Sequence, residues 1–178
     1  MKNTIIILVV LVGLVFVFLY YMGFVGKVKV TEKAMGPFSL AYESYTGAYK
    51  NTGKVFDKVY KSLLAEGINT KRSIGIYYDE PGKVPTDKLR SDCGSIIEGK
   101  DLSKANTLKN KFKIMLVPQK KSIVAEFPIK NSMSYMLAPL RVYPVLTKYA
   151  QAKGYKVSMV YEYYDMPAKR IYFVMNIE

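Results

Sequence analysis

Two similar stretches decide the fold: SIGIYYD, residues Ser73–Asp79, and SMVYEYYD, residues Ser158–Asp165. Both are rich in β-branched and aromatic residues, which favours a strand in each case. Each stretch follows a segment with helical periodicity and precedes a turn and a further apolar run. The sequence therefore predicts one structural unit that occurs twice in the chain.

The first unit covers about residues 36–100 and has the order strand, helix, strand, strand. It begins with the strand FSLAYESY, Phe38–Tyr45, and its helix ends at Gly67. After Ser73–Asp79, a Pro- and Gly-rich turn leads into the returning strand Leu89–Ile97. Helical spacing predicts that one face of the helix is apolar and carries Val55, Phe56, Val59, Tyr60, Leu63 and Leu64.

The second unit covers about residues 110–178 and repeats this order at an offset of about 87 residues. Its strands are Lys121–Ile129, Ser158–Asp165 and Arg170–Ile177, and Lys111–Pro118 is predicted as an extra strand between the halves. Pro144 suits the first turn of a helix or a kink rather than a helix interior. The predicted fold is a duplicated α+β domain with pseudo-twofold symmetry. The second helix ends at Gly154, and its core residues are Val142, Tyr143, Leu146 and Ala150.

The N-terminal segment predicts a membrane anchor. Thr4–Val25 carries no charge over about 22 residues, which is enough for a helix to cross a bilayer. A cleaved signal peptide is the alternative, but its apolar region is shorter and no small-residue cleavage site follows here. We therefore expect residues 1–26 to be a single-pass anchor and residues 27–178 to be the soluble domain. Positive charges after the span slightly exceed those before it, which favours a cytoplasmic domain.

The composition excludes several classes of site. Lys and Arg number 27 against 14 Asp and Glu, giving a net charge of +13 that suits a membrane leaflet or a nucleic acid. The basic residues are scattered and no base-reading motif occurs, so we expect no nucleic-acid partner. Histidine is absent and Cys93 is the only cysteine, which excludes an internal disulfide and disfavours a zinc site. We expect neither a metal nor another cofactor.

Glu162 interrupts the second of the two deciding stretches. Side chains alternate along a strand, so Glu162 shares a face with Val160 and Tyr164. Aligning the two stretches matches Glu162 to Ile76, an apolar residue in the first unit. A buried carboxylate is costly without a partner, so Glu162 is either solvated, paired with a lysine, or an acid in a pocket between the halves.

The repeat resembles the GyrI-like family of small-molecule-binding domains. That family has the duplicated strand–helix–strand–strand architecture, and its last hairpin commonly carries E-[IY]-Y, which EYY at Glu162–Tyr164 matches. The stretches AYESYTGAYKNTGKVF, IGIYYDEPGKVPTDKLRSDCGSII and EFPIKNSMSYMLAPLRVYPVLTKY are most similar to one branch of the family. This is the single-pass membrane branch that includes the testis-expressed ER-phagy receptor.

The resemblance implies a membrane-tethered domain that binds a small hydrophobic or cationic ligand in a cleft between its halves. In the family the Glu of this motif reaches into the cleft, which implies that role for Glu162, and tyrosine side chains suit such a ligand. Two alternatives stay open: an adaptor whose domain binds a protein partner, and a hydrolase that uses Glu162. We assign no catalytic residue. The candidate ligand-binding residues are Glu162, Tyr45, Tyr78, Tyr143 and Tyr164.

Overall fold

A computed structural model describes residues 2–178, in which eight strands form one sheet and four α-helices flank it or precede it. All of the strand pairings are antiparallel. The four helices are α1 (Lys2–Tyr21), α2 (Thr52–Ala65), α3 (Ala105–Leu108) and α4 (Ser134–Lys153). The eight strands are β1 (Val30–Met35), β2 (Phe38–Thr46), β3 (Arg72–Tyr77), β4 (Arg90–Ile97), β5 (Lys113–Val117), β6 (Lys120–Pro128), β7 (Val157–Asp165) and β8 (Arg170–Ile177).

The strand order is β1-β6-β8-β7-β3-β4-β2-β5, and the two halves meet where β3 pairs with β7. The edge strands are exchanged: β1 precedes the first half but pairs with β6, and β5 precedes the second half but pairs with β2. The duplicated α+β fold is therefore confirmed. The predicted extra strand is β5, whereas β1 was not predicted, and together they extend each half by one strand.

Both long helices of the domain cover one face of the sheet. Val142 and Leu146 of α4 are fully buried against β6 and β8, while Val59 and Leu63 of α2 are fully buried against β2 and β4. The opposite face holds a second apolar cluster, which partly buried aromatic and methionine side chains shield. The residues of this cluster are Leu40, Ile74, Ile76, Ile96, Val117, Val124, Tyr161 and Val174.

Two helix predictions need correction. The predicted apolar face of α2 is too wide, because Tyr60 and Leu64 at its margins are exposed and only the central stripe reaches the sheet. In α4, Pro144 lies inside the helix, as does Pro139. Pro144 is exposed, so its ring lies away from the sheet, and its nitrogen donates no hydrogen bond to the preceding turn.

By its length and composition, α1 is able to cross a membrane. It ends at Tyr21, four residues before the predicted end of the apolar span. Met22 is fully buried, and the ring of Phe24 packs edge-on against Phe127 with centroids 5.7 Å apart. Met22 and Phe24 of the predicted span therefore pack on the domain, whereas Val25 at its end stays exposed.

Candidate functional site

Glu162 lies in the middle of β7, at the seam between the two halves. It pairs with Gly75 of β3 on one side and with Phe173 of β8 on the other. Its side chain points to the helix side of the sheet, as does that of Tyr164, and it is only 4% exposed. The structure therefore confirms the shared face and excludes the solvated alternative for Glu162.

The repeat equates Glu162 with Gly75, so the sequence alignment with Ile76 was wrong by one residue. The hydroxyls of Tyr77 and Tyr164 meet across the seam and are 87 residues apart in the chain. The same offset carries Gly75 to Glu162. Ile76 points to the opposite face of the sheet. The slip arose because SMVYEYYD has one residue more than SIGIYYD, and matching their terminal aspartates shifts the register.

Two phenol hydroxyls hold the carboxylate. Tyr143 of α4 donates to Oε1 of Glu162 at 2.9 Å, and Tyr164 donates to Oε2 at 2.5 Å. The hydroxyl of Tyr77 lies 3.1 Å from that of Tyr164 and extends the network into the first half. Across residues 2–178, no lysine or arginine forms an ion pair with Glu162, so the predicted lysine alternative is also excluded.

Burial controls the protonation state of the Glu162 carboxyl group. It raises the pKa of Glu162 to about 7, although the hydrogen bonds from Tyr164 and Tyr143 oppose the rise. Burial and the Glu162 charge raise the pKa values of Tyr77, Tyr143 and Tyr164 well above 10. The tyrosines therefore stay neutral donors, and Glu162 is the group that titrates near neutral pH.

Further aromatic rings enclose this network. Phe56 packs edge-on against Tyr164 at 5.4 Å between centroids, and Tyr135 lies 5.8 Å from Tyr164. In the first half, Tyr49 packs against Tyr77 at 4.8 Å. We call the six aromatic residues around the Glu162 carboxylate the aromatic cluster. Its members are Tyr49, Phe56, Tyr77, Tyr135, Tyr143 and Tyr164.

Gly75 makes room for the aromatic cluster. A Cβ atom at this position would lie 2.8 Å from the Tyr77 hydroxyl and 3.0 Å from Cζ of Phe56. Both distances are shorter than ordinary van der Waals contact, so a larger residue would displace the rings. The two halves thus place an acid and a glycine opposite each other at equivalent positions of the repeat.

The structure brings three of the five candidate residues together, namely Glu162, Tyr143 and Tyr164. Tyr78 is half-exposed, and its hydroxyl donates to Asp92 at 2.6 Å, on the opposite face of the sheet. Tyr45 is half-buried in β2, with its hydroxyl next to Gly47 and no hydrogen bond to Glu162. These two residues lie apart from the aromatic cluster.

Sequence reasoning left Tyr77, Phe56, Tyr49 and Tyr135 out of the candidate set. The repeat held a signal for two of them, because the offset of 87 residues takes Tyr164 to Tyr77 and Tyr143 to Phe56. The one-residue slip selected Tyr78 in place of Tyr77. No periodic signal marks Tyr49 or Tyr135. Tyr49 lies in the turn before α2, and Tyr135 lies in the first turn of α4.

A groove of about 520 Å³ lies beside the aromatic cluster and shares Phe56 with it as a wall. Met166, Tyr60 and Arg72 are among its other lining residues. The volume is in the range of ordinary small-molecule sites. Among the described residues, no group of three or more His, Cys, Asp or Glu side chains is placed to hold a metal ion. Chemically, the site offers a titratable acid, phenol donors and aromatic faces.

The fold is an α+β domain that matches GyrI-like neighbours, and an apolar helix precedes it. No family model matches the chain. Testis-expressed protein 264 of Homo sapiens is 34% identical over 122 residues, which cover 65% of this chain and 37% of that protein. Its Mus musculus homologue is 34% identical over 135 residues, covering 70% and 42%. The chain thus spans about two fifths of the length of these curated relatives.

Solved structures show the same fold at low sequence identity. The EcmrR C-terminal domain has a TM-score of 0.63 and 10% identity, with 86% of this chain and 99% of that chain covered. The structure of SAV2435 bound to tetraphenylphosphonium has a TM-score of 0.57 and 11% identity, with 84% and 94% covered. At such identities the likeness concerns the fold alone.

Proposed function

We propose that this protein is a membrane-tethered domain that binds a small lipophilic cation between its two halves, with Glu162 as the counter-charge. The observation that carries the proposal is an enclosed carboxyl group that has phenol partners and, among residues 2–178, no cationic partner. Such a group is costly to keep ionised, and a bound cation would stabilise its charged form. Aromatic faces around it would add cation–π attraction.

The fold has held such a ligand in another protein. The SAV2435 structure contains tetraphenylphosphonium, a bulky cation whose own phenyl groups surround the charged phosphorus. A ligand of this class needs aromatic walls and a counter-charge, and both occur around Glu162. The comparison supports the class of ligand, while the residues of this chain supply the argument for the site.

The aromatic cluster is closed in this structure, so binding requires side chains to move. Phe56 separates the groove of about 520 Å³ from the Tyr164 ring that covers Glu162. Rotation of Phe56 and Tyr164 would join the groove to the carboxyl group. Opening costs free energy, so only a fraction of the molecules is open before the ligand binds. The apparent affinity is lower than the affinity of the open form in proportion to that fraction.

Tethering is the second part of the proposal. α1 has 20 residues, a mean hydropathy of 2.9 in its most apolar window and no buried side chain. These properties suit a helix surrounded by lipid. Lys27, Lys29 and Lys33 follow the apolar span, against Lys2 and the amino terminus before it, so the positive-inside rule favours a cytoplasmic domain by a single charge.

Calorimetric titration of the full chain in detergent with tetraphenylphosphonium tests the site. Glu162→Gln keeps the shape of the side chain and removes its charge. We expect it to weaken binding of the cation by about tenfold or more, or ~1.4 kcal/mol. Binding of the neutral triphenylphosphine oxide should change much less, since it loses no charge pair.

Glu126→Gln is the matched control, because it removes the same charge from a half-exposed position on β6. It should leave both affinities unchanged. Equal weakening by the two variants would contradict a role for Glu162 as counter-charge. Unchanged binding with loss of a hydrolytic turnover in Glu162→Gln would favour the hydrolase alternative instead.

A further inference from the structure

The first half of α4 presents an apolar surface to solvent. Met133 directly before the helix, and Met136 and Leu140 within it, are 43%, 68% and 72% exposed. Their spacing of three and four residues places them on one side of the helix, away from the buried Ala138 and Val142. Exposed apolar surface of this kind usually marks contact with a lipid or a protein.

Charge is absent from this surface. Asn131–Leu140 contains no charged residue, and no aspartate or glutamate occurs between Glu126 and Glu162. Farther along the same side of α4, beyond Pro144, the exposed residues are the polar Thr147 and Gln151. The exposed side of α4 therefore divides into an apolar first half and a polar second half.

The apolar half is fastened at both ends to the segment that follows α1. Before the helix, the side-chain amide of Asn131 donates to the sulfur of Met22 at 3.4 Å. Directly after Leu140, within α4, the guanidinium of Arg141 donates to the backbone carbonyls of Phe24 and Gly26. A helix held against the end of a membrane-crossing helix lies at the depth of the lipid headgroups.

The residues around this junction suit that depth. Tyr20 and Tyr21 end α1, and the ammonium of Lys130 lies 5.7 Å from the centre of the Tyr21 ring. Lys27 and Lys29, in the segment that follows α1, are exposed. Aromatic rings and lysines are typical of the interface of a bilayer that carries anionic lipids.

We propose that Met133–Leu140 is a second membrane contact that lies in the interface of the same bilayer that α1 crosses. Met136 and Leu140 enter the boundary of the acyl chains, while Lys130 and Arg141 stay at the level of the phosphates. The inference rests on the membrane anchor of the proposed function. An anchor and an interfacial helix together fix the tilt of the domain, which a single anchor leaves free.

The chain contains no tryptophan, so one introduced residue reports its own surroundings. The test uses full-length Met136→Trp in vesicles of phosphatidylcholine and phosphatidylglycerol, with and without brominated acyl chains. We expect blue-shifted emission that brominated lipid quenches strongly. Thr147→Trp, on the polar half of the same side, is the matched control and should show red-shifted, weakly quenched emission.

Val12→Trp, in the middle of α1, tests the anchor separately. Quenching at Val12 without quenching at Met136 overturns the interfacial contact and leaves the anchor standing. Absence of quenching at Val12 overturns the anchor itself. Blue-shifted but unquenched emission at Met136 also overturns the proposal, because it shows that a protein surface covers the helix. Adding Leu140→Glu to Met136→Trp should reduce the quenching severalfold if lipid is the partner.

Discussion

The carboxyl group of Glu162 exchanges water for two phenol hydroxyls when the chain folds. Two hydrogen bonds do not replace full hydration of a charge, so the neutral acid is favoured and the pKa of Glu162 rises to about 7. A modest rise in pH, or a cation bound nearby, is therefore enough to ionise Glu162.

The first prediction concerns stability and pH. The folded pKa of Glu162, about 7, exceeds the ordinary value of 4.5. Its protonated form thus stabilises the fold fully below about pH 4.5, and this stability is lost as the pH rises through 7. Between these limits the loss amounts to about 3 kcal/mol of unfolding free energy. Urea denaturation in detergent at pH 5 and pH 8 should show most of this loss in the wild type.

Glu162→Gln should remove that part of the pH dependence, whereas Glu126→Gln should retain it. Identical pH profiles for the wild type and Glu162→Gln would show that the acid is solvated. The sequence left burial in a pocket as one of three alternatives for Glu162, and it did not mark Tyr77, which joins the network through Tyr164. A one-residue slip moves every strand side chain to the other face, and only the observed pairing fixes the register.

At the scale of elements, α2 and α4 each pack on their own half of the sheet through a narrow apolar stripe. Helical periodicity in the sequence predicted the centres of both stripes, Val59 with Leu63 and Leu146 with Ala150, all of which are buried. It did not predict their width, because amphipathic periodicity does not tell how closely a helix approaches a twisted sheet. β1 was missed because its central residues are exposed and lack alternation.

The second prediction concerns these stripes. Val59 and Leu146 are equivalent in the repeat and both are fully buried. Truncating either to alanine should destabilise the domain by roughly 2–4 kcal/mol, since each change leaves a cavity between helix and sheet. Denaturant unfolding measures the effect. Leu64→Ala is the control, because Leu64 is exposed at the margin of α2 and its loss should cost little. A neutral change at Val59 or Leu146 would contradict the assigned packing.

At the scale of the whole molecule, the segment that follows the apolar helix packs against the domain. Met22 is buried, Phe24 packs on Phe127, and Arg141 binds two carbonyl groups of the connecting segment. The sequence predicted an apolar span and a domain, and it placed their boundary near residue 26. The docking itself could not be predicted, because an apolar residue at the end of a span has the same pattern whether it contacts lipid or protein.

The third prediction tests this docking. Arg141→Gln removes the cation that holds the Phe24 and Gly26 carbonyls, which should free the connecting segment. Trypsin should then cleave after Lys27 or Lys29 several times faster than in the wild type, since proteases need an open backbone. Arg170→Gln, a control at an exposed position of β8, should leave the cleavage rate unchanged. A wild-type rate in Arg141→Gln would mean that the segment is not held by this contact.

The role of Glu162 as counter-charge is tested most directly by the number of protons released when tetraphenylphosphonium binds at pH 7. Calorimetry in buffers of different ionisation enthalpy measures this number. With the pKa of Glu162 at about 7, close to half of the molecules carry the proton before binding. A cation held by the carboxylate should therefore release about half a proton per ligand by linkage. Glu162→Gln should abolish the release. Tight binding without proton release, or the same release from Glu162→Gln, would contradict the assignment of Glu162 as the counter-charge.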